Sequence, residues 1–134
     1  MSRPARRWRG AIWWVAVGLY AALILFVGSR PRLRSPVTFP LWDKVAHFGE
    51  YGLLGLLGHT ALTIRGQREG WRPALVLAAG LAWGGLDEWI QAHTPGREST
   101  FSDWLADAAG VLVGIGVSAY LASRRAARSQ GGNG

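Results

Sequence analysis

Ten polar residues that could bind a ligand or exchange a proton lie at or near the ends of long apolar runs. In chain order they form three groups: Asp43, His47, Glu50 and Tyr51; Asp87, Glu88 and Gln91; and Arg97, Asp103 and Asp107. A charged side chain within a membrane span would cost roughly 3 kcal/mol, so such a residue is seldom there without a function. We therefore treat these ten residues as candidates for a ligand-binding site.

The apolar residues that must position these side chains occur in four runs, 11–28, 45–64, 74–92 and 105–122. Each run is long enough to cross about 30 Å of hydrocarbon as a helix rising about 1.5 Å per residue. A soluble domain of 134 residues could not bury four such runs. We predict an all-α, four-helix transmembrane bundle over residues 11–122. A basic N-terminus (1–10) and a basic, flexible C-terminus (123–134) flank it.

The basic residues predict the orientation of this bundle. Antiparallel spans place ten of the 15 basic residues on one side of the membrane. These ten are Arg3, Arg6, Arg7, Arg9, Arg65, Arg68, Arg72, Arg124, Arg125 and Arg128. Cytoplasmic loops carry the excess of Lys and Arg, so we predict a multi-pass plasma-membrane protein with both termini in the cytoplasm. All ten candidate residues then lie toward the outer side.

Two further features of the chain limit the possible partners and the possible chemistry. The net charge of +7 does not indicate nucleic-acid binding, because the basic residues flank the apolar runs instead of forming a stripe. The chain has no cysteine, which excludes disulfides and thiolate metal ligands. Residues 29–40 contain three prolines and predict an extended connection across the outer helix ends.

Helical periodicity turns the polar residues toward the same face as paired glycines. At about 100° per residue, the polar groups of the third run share an arc with Gly80 and Gly84. Those of the fourth run share an arc with Gly110 and Gly114. Glycines four residues apart let helix backbones approach closely in lipid. We predict that these four glycines pack the helices and that the polar residues line one partly buried site.

Simpler interpretations exist for some of the candidates. Asp43 and Asp103 precede apolar runs and could act as helix caps or first-turn acids. His47 and Glu50, three residues apart, could ligate a metal ion together with a carboxylate from another span. That spacing alone is weak evidence, and the expectation is that there is no metal site. The sequence identifies neither a cofactor nor a catalytic residue, and both stay open.

The chain resembles the VanZ-like family of small integral membrane proteins over about residues 41–122. The resemblance rests on Asp43-Lys44-x-x-His47-Phe48-x-x-Tyr51, on Asp87-Glu88-x-x-Gln91, and on Gly96-Arg97 with Thr100, Asp103, Asp107, Gly110 and Gly114. The family pattern more often has Asn at the position of Asp107, so this chain adds a possible charge there. The resemblance implies a polytopic plasma-membrane protein. The founding member is linked to low-level resistance to the glycopeptide teicoplanin.

Two functions of different class fit these observations. In the first, an outward-facing polar site binds or processes the anionic headgroup of an envelope lipid or cell-wall precursor. The planar fork of Arg97 suits bidentate contact with a phosphate or carboxylate. In the second, the protein is a non-catalytic accessory or assembly factor whose polar residues hold its own helices or a partner together. An oligomer is possible, and the sequence does not choose between binding and catalysis.

Overall fold

The structure is a computed structural model that describes residues 3–31, 41–64 and 70–131. Within these residues the chain forms four α-helices and no strands. They are α1 (Arg3–Gly28), α2 (Trp42–Thr63), α3 (Arg72–Ala92) and α4 (Phe101–Gly131). The predicted all-α fold with four helices is confirmed. Most of the proline-containing connection, residues 32–40, lies outside the described residues, as do Arg65 and Arg68 of the second basic cluster.

Helix α4 is longer than the apolar run that predicted it. It begins at Phe101, where the Thr100 hydroxyl oxygen accepts a hydrogen bond from the Asp103 backbone N–H at 3.3 Å. The same hydroxyl donates to the Asp103 carboxylate at 2.5 Å, a reciprocal arrangement that resembles a capping box. The helix continues to Gly131, through residues 123–131, which the sequence predicted to be flexible. Alanine and arginine dominate this stretch and favour helix strongly.

Two of the helices are long and apolar enough to cross a membrane, over Gly10–Gly28 and Phe101–Gln130. They suggest a membrane protein. The other two helices carry most of the candidate polar residues, which lower their hydropathy. Large apolar side chains such as Leu19 and Leu112 face outward and are 69% and 53% exposed. Four spans in the plasma membrane, with both termini inside, stay predictions.

Helices α2 and α4 pack backbone against backbone through glycine. A methyl group added at Gly110 would overlap the Phe48 carbonyl oxygen. One added at Gly114 would overlap the Gly52 carbonyl oxygen and lie 2.7 Å from the backbone nitrogen of Leu56. Real Cβ atoms do not approach backbone atoms this closely, so both positions require glycine at the observed helix separation.

Glycines of α2 and α3 also pack against α4. A methyl group at Gly55 would lie 2.8 Å from the Val111 Cα, and one at Gly80 would lie 2.7 Å from the Val111 side chain. At Gly84 the nearest atom is a carboxylate oxygen of Asp107, at 3.0 Å. All four glycines predicted to pack therefore lie at helix contacts, and Gly55 of α2 is an addition that the sequence analysis did not name.

Helix α1 is joined to α2 and α3 by side-chain hydrogen bonds to backbone carbonyl groups. The Tyr20 hydroxyl donates to the Glu50 carbonyl oxygen at 3.2 Å, and the Trp83 indole donates to the Ala21 carbonyl oxygen at 3.1 Å. An apolar cavity of about 660 Å³ lies between these three helices, with Val111 of α4 on its wall.

Candidate functional site

Seven of the ten candidate residues are buried together where α2, α3 and α4 meet. We call them the polar cluster: His47, Tyr51, Asp87, Glu88, Gln91, Asp103 and Asp107. The other three candidates, Asp43, Glu50 and Arg97, are half-buried. Because side chains from three separate helices converge, the periodicity argument identified the correct helix faces.

His47 lies at the centre of the polar cluster. Its Nδ1 is 2.9 Å from Oδ1 of Asp107 on α4 and 3.7 Å from Oε1 of Glu88 on α3. The second oxygen of Asp107, Oδ2, and Oε1 of Glu88 are buried and have no hydrogen-bond partner among the described residues. His47, Glu88 and Asp107 each offer one atom that could bind a metal, and these three atoms lie within 4.8 Å of one another. These are the residues that could hold a metal ion.

The connection between α3 and α4 fixes the orientation of Glu88. Its Oε2 accepts hydrogen bonds from the Ser99 hydroxyl at 2.7 Å and from the Thr100 backbone N–H at 3.1 Å. Both donors bind the same oxygen, which leaves Oε1 directed toward His47. The sequence analysis did not name Ser99, and the sequence gives no signal for this role.

Asp103 is paired on both of its oxygens. Oδ1 accepts a hydrogen bond from Lys44 Nζ at 2.9 Å, and Oδ2 accepts one from the Thr100 hydroxyl. The hydrogen bond to Asp103 raises the pKa of the Lys44 ammonium group. The interpretation of Asp103 as a first-turn acid thus describes its contacts well. Lys44 adds an ion pair that ties the start of α2 to the start of α4.

Asp87 links all of the first three helices. Its Oδ2 accepts hydrogen bonds from Gln91 Nε2 at 3.0 Å and from the Tyr51 hydroxyl at 3.4 Å. Its Oδ1 is buried without a hydrogen-bond partner among the described residues and lies against Gly28, where an added methyl group would overlap it. Gly28 is therefore a residue of the site that the sequence analysis missed, because it appeared only as the end of an apolar run.

Arg97 contacts the end of α1. Its Nε donates to the Arg30 carbonyl oxygen at 3.2 Å, and its Nη2 donates to the Val27 carbonyl oxygen at 2.6 Å. Carbonyl groups at a helix C-terminus lack intrahelical partners and lie at the negative end of the helix dipole, so a guanidinium group is favoured there. Arg97 thus holds the connection between α3 and α4 against the end of α1, a role that the sequence did not suggest. Its contact with an anionic ligand stays a prediction.

A second buried histidine lies further along α2, outside the polar cluster. His59 Nδ1 is 3.0 Å from the Ser118 hydroxyl oxygen on α4, and that oxygen is 2.8 Å from the Thr60 hydroxyl oxygen. The two hydroxyl groups are uncharged, and the contacts join α2 to α4. These contacts give His59 a structural role.

Comparison with known proteins gives one match. The family model described as VanZ/LLP1 matches residues 5–122. No curated protein and no solved structure matches the chain. The match covers all four helices except the first two residues of α1 and the C-terminal part of α4, and it includes every residue of the polar cluster. The chain belongs to the VanZ/LLP1 family.

Proposed function

We propose that the polar cluster binds the anionic headgroup of an envelope lipid or of a lipid-linked cell-wall precursor at the outer side of the membrane. The observation that carries this proposal is the position of the cluster next to the apolar cavity. Tyr51 lies one helical turn from Leu54, and Asp107 lies one turn from Val111; Leu54 and Val111 line the cavity. A ligand with a polar head and an apolar chain could occupy both places at once.

Buried oxygens without partners support a binding role. Asp87, Glu88 and Asp107 each have one such oxygen among the described residues. Leaving a buried acceptor unsatisfied costs about 1–3 kcal/mol, and more when the group is charged. Native proteins keep few of these atoms. Hydroxyl groups of a glycerol or sugar headgroup would donate to these oxygens and remove that cost.

The anionic part of the headgroup needs a cationic contact. Lys44 contacts the cluster directly, with a side chain 37% exposed and an ion pair to Asp103. Arg97 lies on the connection between α3 and α4, held by the end of α1. The phosphate of the headgroup would pair with Lys44, while the hydroxyl-bearing portion of the headgroup would reach the carboxylates.

A second candidate function has its own supporting observation. The ion pairs of the cluster join different helices: His47 and Lys44 of α2 bond Asp107 and Asp103 of α4. A cluster of this kind could hold the bundle, or a partner membrane protein, together without binding any small ligand. In that case the protein is the accessory or assembly factor that the sequence left open.

Substitution of Glu88 distinguishes the two functions. Glu88→Gln keeps the size of the side chain and removes its charge, and Glu98→Gln makes the same change at an exposed position of the connection between α3 and α4. The chain would be reconstituted in nanodiscs with phosphatidylglycerol or phosphatidylcholine, and bound lipid counted by native mass spectrometry. We expect Glu88→Gln to weaken retention of phosphatidylglycerol about tenfold, equivalent to about 1.4 kcal/mol, at unchanged membrane abundance.

A purely structural cluster gives a different result. Glu88→Gln would then lower abundance, and the protein that remains would bind both lipids as the wild type does. Equal retention of the two lipids by the wild-type chain would contradict headgroup binding directly. Glu98→Gln should match the wild type in every assay.

A further inference from the structure

The geometry points to a divalent-cation site formed by His47, Glu88 and Asp107, one ligand from each of α2, α3 and α4. The cation would be of the first-row transition class, such as Mn²⁺ or Zn²⁺. The inference deepens the proposed function, because the cation would join the carboxylates to an anionic headgroup. The identity of the headgroup rests on the proposed function, whereas the binding of the cation does not.

The spacing of the three ligating atoms fits a single ion. Atoms bound at about 2.0–2.2 Å from one metal lie roughly 3–3.6 Å from one another. His47 Nδ1 is 2.9 Å from Asp107 Oδ1 and 3.7 Å from Glu88 Oε1. All three atoms lie within 4.8 Å of one another, and the proton of the hydrogen bond between His47 and Asp107 would leave when the cation binds.

The unused oxygen of Glu88, Oε1, is directed at His47 and is a second, independent observation. Glu88 Oε1 and Asp107 Oδ2 are buried and have no hydrogen-bond partner among the described residues, and Asp107 has no exposed surface. Hydrogen bonds from Ser99 and Thr100 to the other oxygen of Glu88 hold its Oε1 toward His47. Outer hydrogen bonds of this kind orient the carboxylate ligands of metal sites.

The charges of the cluster also favour a cation. Within it, four carboxyl groups accompany one imidazole, and Lys44 is already paired with Asp103. Carboxylates that share a buried site must be protonated, paired or bound to a cation, because their mutual repulsion is strong there. A divalent ion between Glu88 and Asp107 would offset both of their charges.

The donor set indicates the class of metal. One imidazole nitrogen and two carboxylate oxygens suit borderline and hard divalent ions, and the absence of cysteine removes the ligand that soft ions prefer. Three protein ligands leave at least one coordination position open. A phosphate oxygen of the proposed headgroup could take that position, which explains how an anion could bind among carboxylates.

The ligand set differs from the one that sequence spacing suggested. The sequence analysis considered His47 with Glu50 and expected no metal site. In the structure, Glu50 is half-buried and lies outside the group of three ligating residues. Each ligand comes from a different helix, so no local spacing in the sequence could reveal the set.

Titration with Mn²⁺ tests this inference on the full-length chain in detergent after treatment with a chelator. We expect about one tightly bound Mn²⁺ per chain by calorimetry. Affinity should fall at least tenfold in Glu88→Gln and in Asp107→Asn, and Glu98→Gln should bind as the wild type does. Pulsed electron paramagnetic resonance should show coupling of the bound Mn²⁺ to an imidazole nitrogen. That readout needs no variant and so does not depend on whether the variants fold.

Three outcomes would each overturn the inference. The wild type could bind Mn²⁺ no better than weak surface sites do, or it could show no nitrogen coupling. The third is that Glu88→Gln and Asp107→Asn bind Mn²⁺ as tightly as Glu98→Gln does. The proposed function can fail separately. Retention of phosphatidylglycerol that persists in excess chelator would contradict the role of the cation in joining the headgroup to the carboxylates, while supporting headgroup binding. Tight Mn²⁺ binding without any lipid preference would support the cation and contradict the headgroup.

Discussion

His47 and His59 occupy similar positions but have very different surroundings. Both are buried on α2, twelve residues or about 18 Å apart, and both place Nδ1 close to a side-chain oxygen of α4. His59 contacts the hydroxyl group of Ser118, which also contacts Thr60. His47 contacts Asp107 and lies near Glu88, and each of these two acids has an oxygen without a partner among the described residues.

The difference between the surroundings of the two histidines separates a role in helix packing from a role in binding. The contact of His59 with α4 is made to the neutral hydroxyl group of Ser118. Helix packing alone would not require buried carboxylates at the other end, where charges cost more to bury than hydroxyl groups. The additional charge around His47 therefore supports a site that binds something, and the glycine contacts between the two histidines account for the close approach of the helices.

The largest expected effect is on stability when each histidine is truncated. His47→Ala leaves the buried carboxylate of Asp107 without its hydrogen-bond partner and should lower the free energy of unfolding by about 3–5 kcal/mol. His59→Ala should cost about 2 kcal/mol less, because a hydroxyl group loses only a neutral contact. Both substitutions remove an imidazole ring, so the free energy lost to the resulting cavity is comparable in the two variants. Unfolding in mixed micelles without added lipid or metal measures the difference, and equal losses would contradict the contrast between the two ends.

A smaller effect on stability is expected from the glycine contact that lies between His47 and His59. Gly114→Ala should lower the free energy of unfolding by about 2–3 kcal/mol, because its methyl group meets backbone atoms of Gly52 that cannot move without separating α2 from α4. Gly116→Ala is the matched control, since a methyl group there meets open space. Thermal unfolding in detergent compares them. If Gly114→Ala melts at the temperature of Gly116→Ala, the glycine contact does not set the helix separation.

The sequence predicted the parts of this molecule that depend on local pattern. Apolar runs predicted four helices, and periodicity predicted which faces carry the acids and the glycines. The sequence could not predict pairings across helices, because nothing local indicates that Glu88 approaches His47 or that Glu50 lies outside the group of three ligating residues. The partners of Arg97 are carbonyl oxygens of Val27 and Arg30, which have no signature in the side chains. The extension of α4 to Gly131 was missed because the boundary was drawn from hydropathy, whereas helix propensity continues past it.

The central claim is that the polar cluster at His47 binds a headgroup. A phosphatidylglycerol analogue with a photoactivatable headgroup, incorporated into nanodiscs with the full-length chain, tests it most directly. After illumination, mass spectrometry locates the labelled residues. Labelling should concentrate near His47, Glu88 and Asp107, fall in Glu88→Gln and be unaffected in Glu98→Gln. Labelling confined to the outward-facing apolar surfaces, or identical to that from a phosphatidylcholine analogue, would contradict the account.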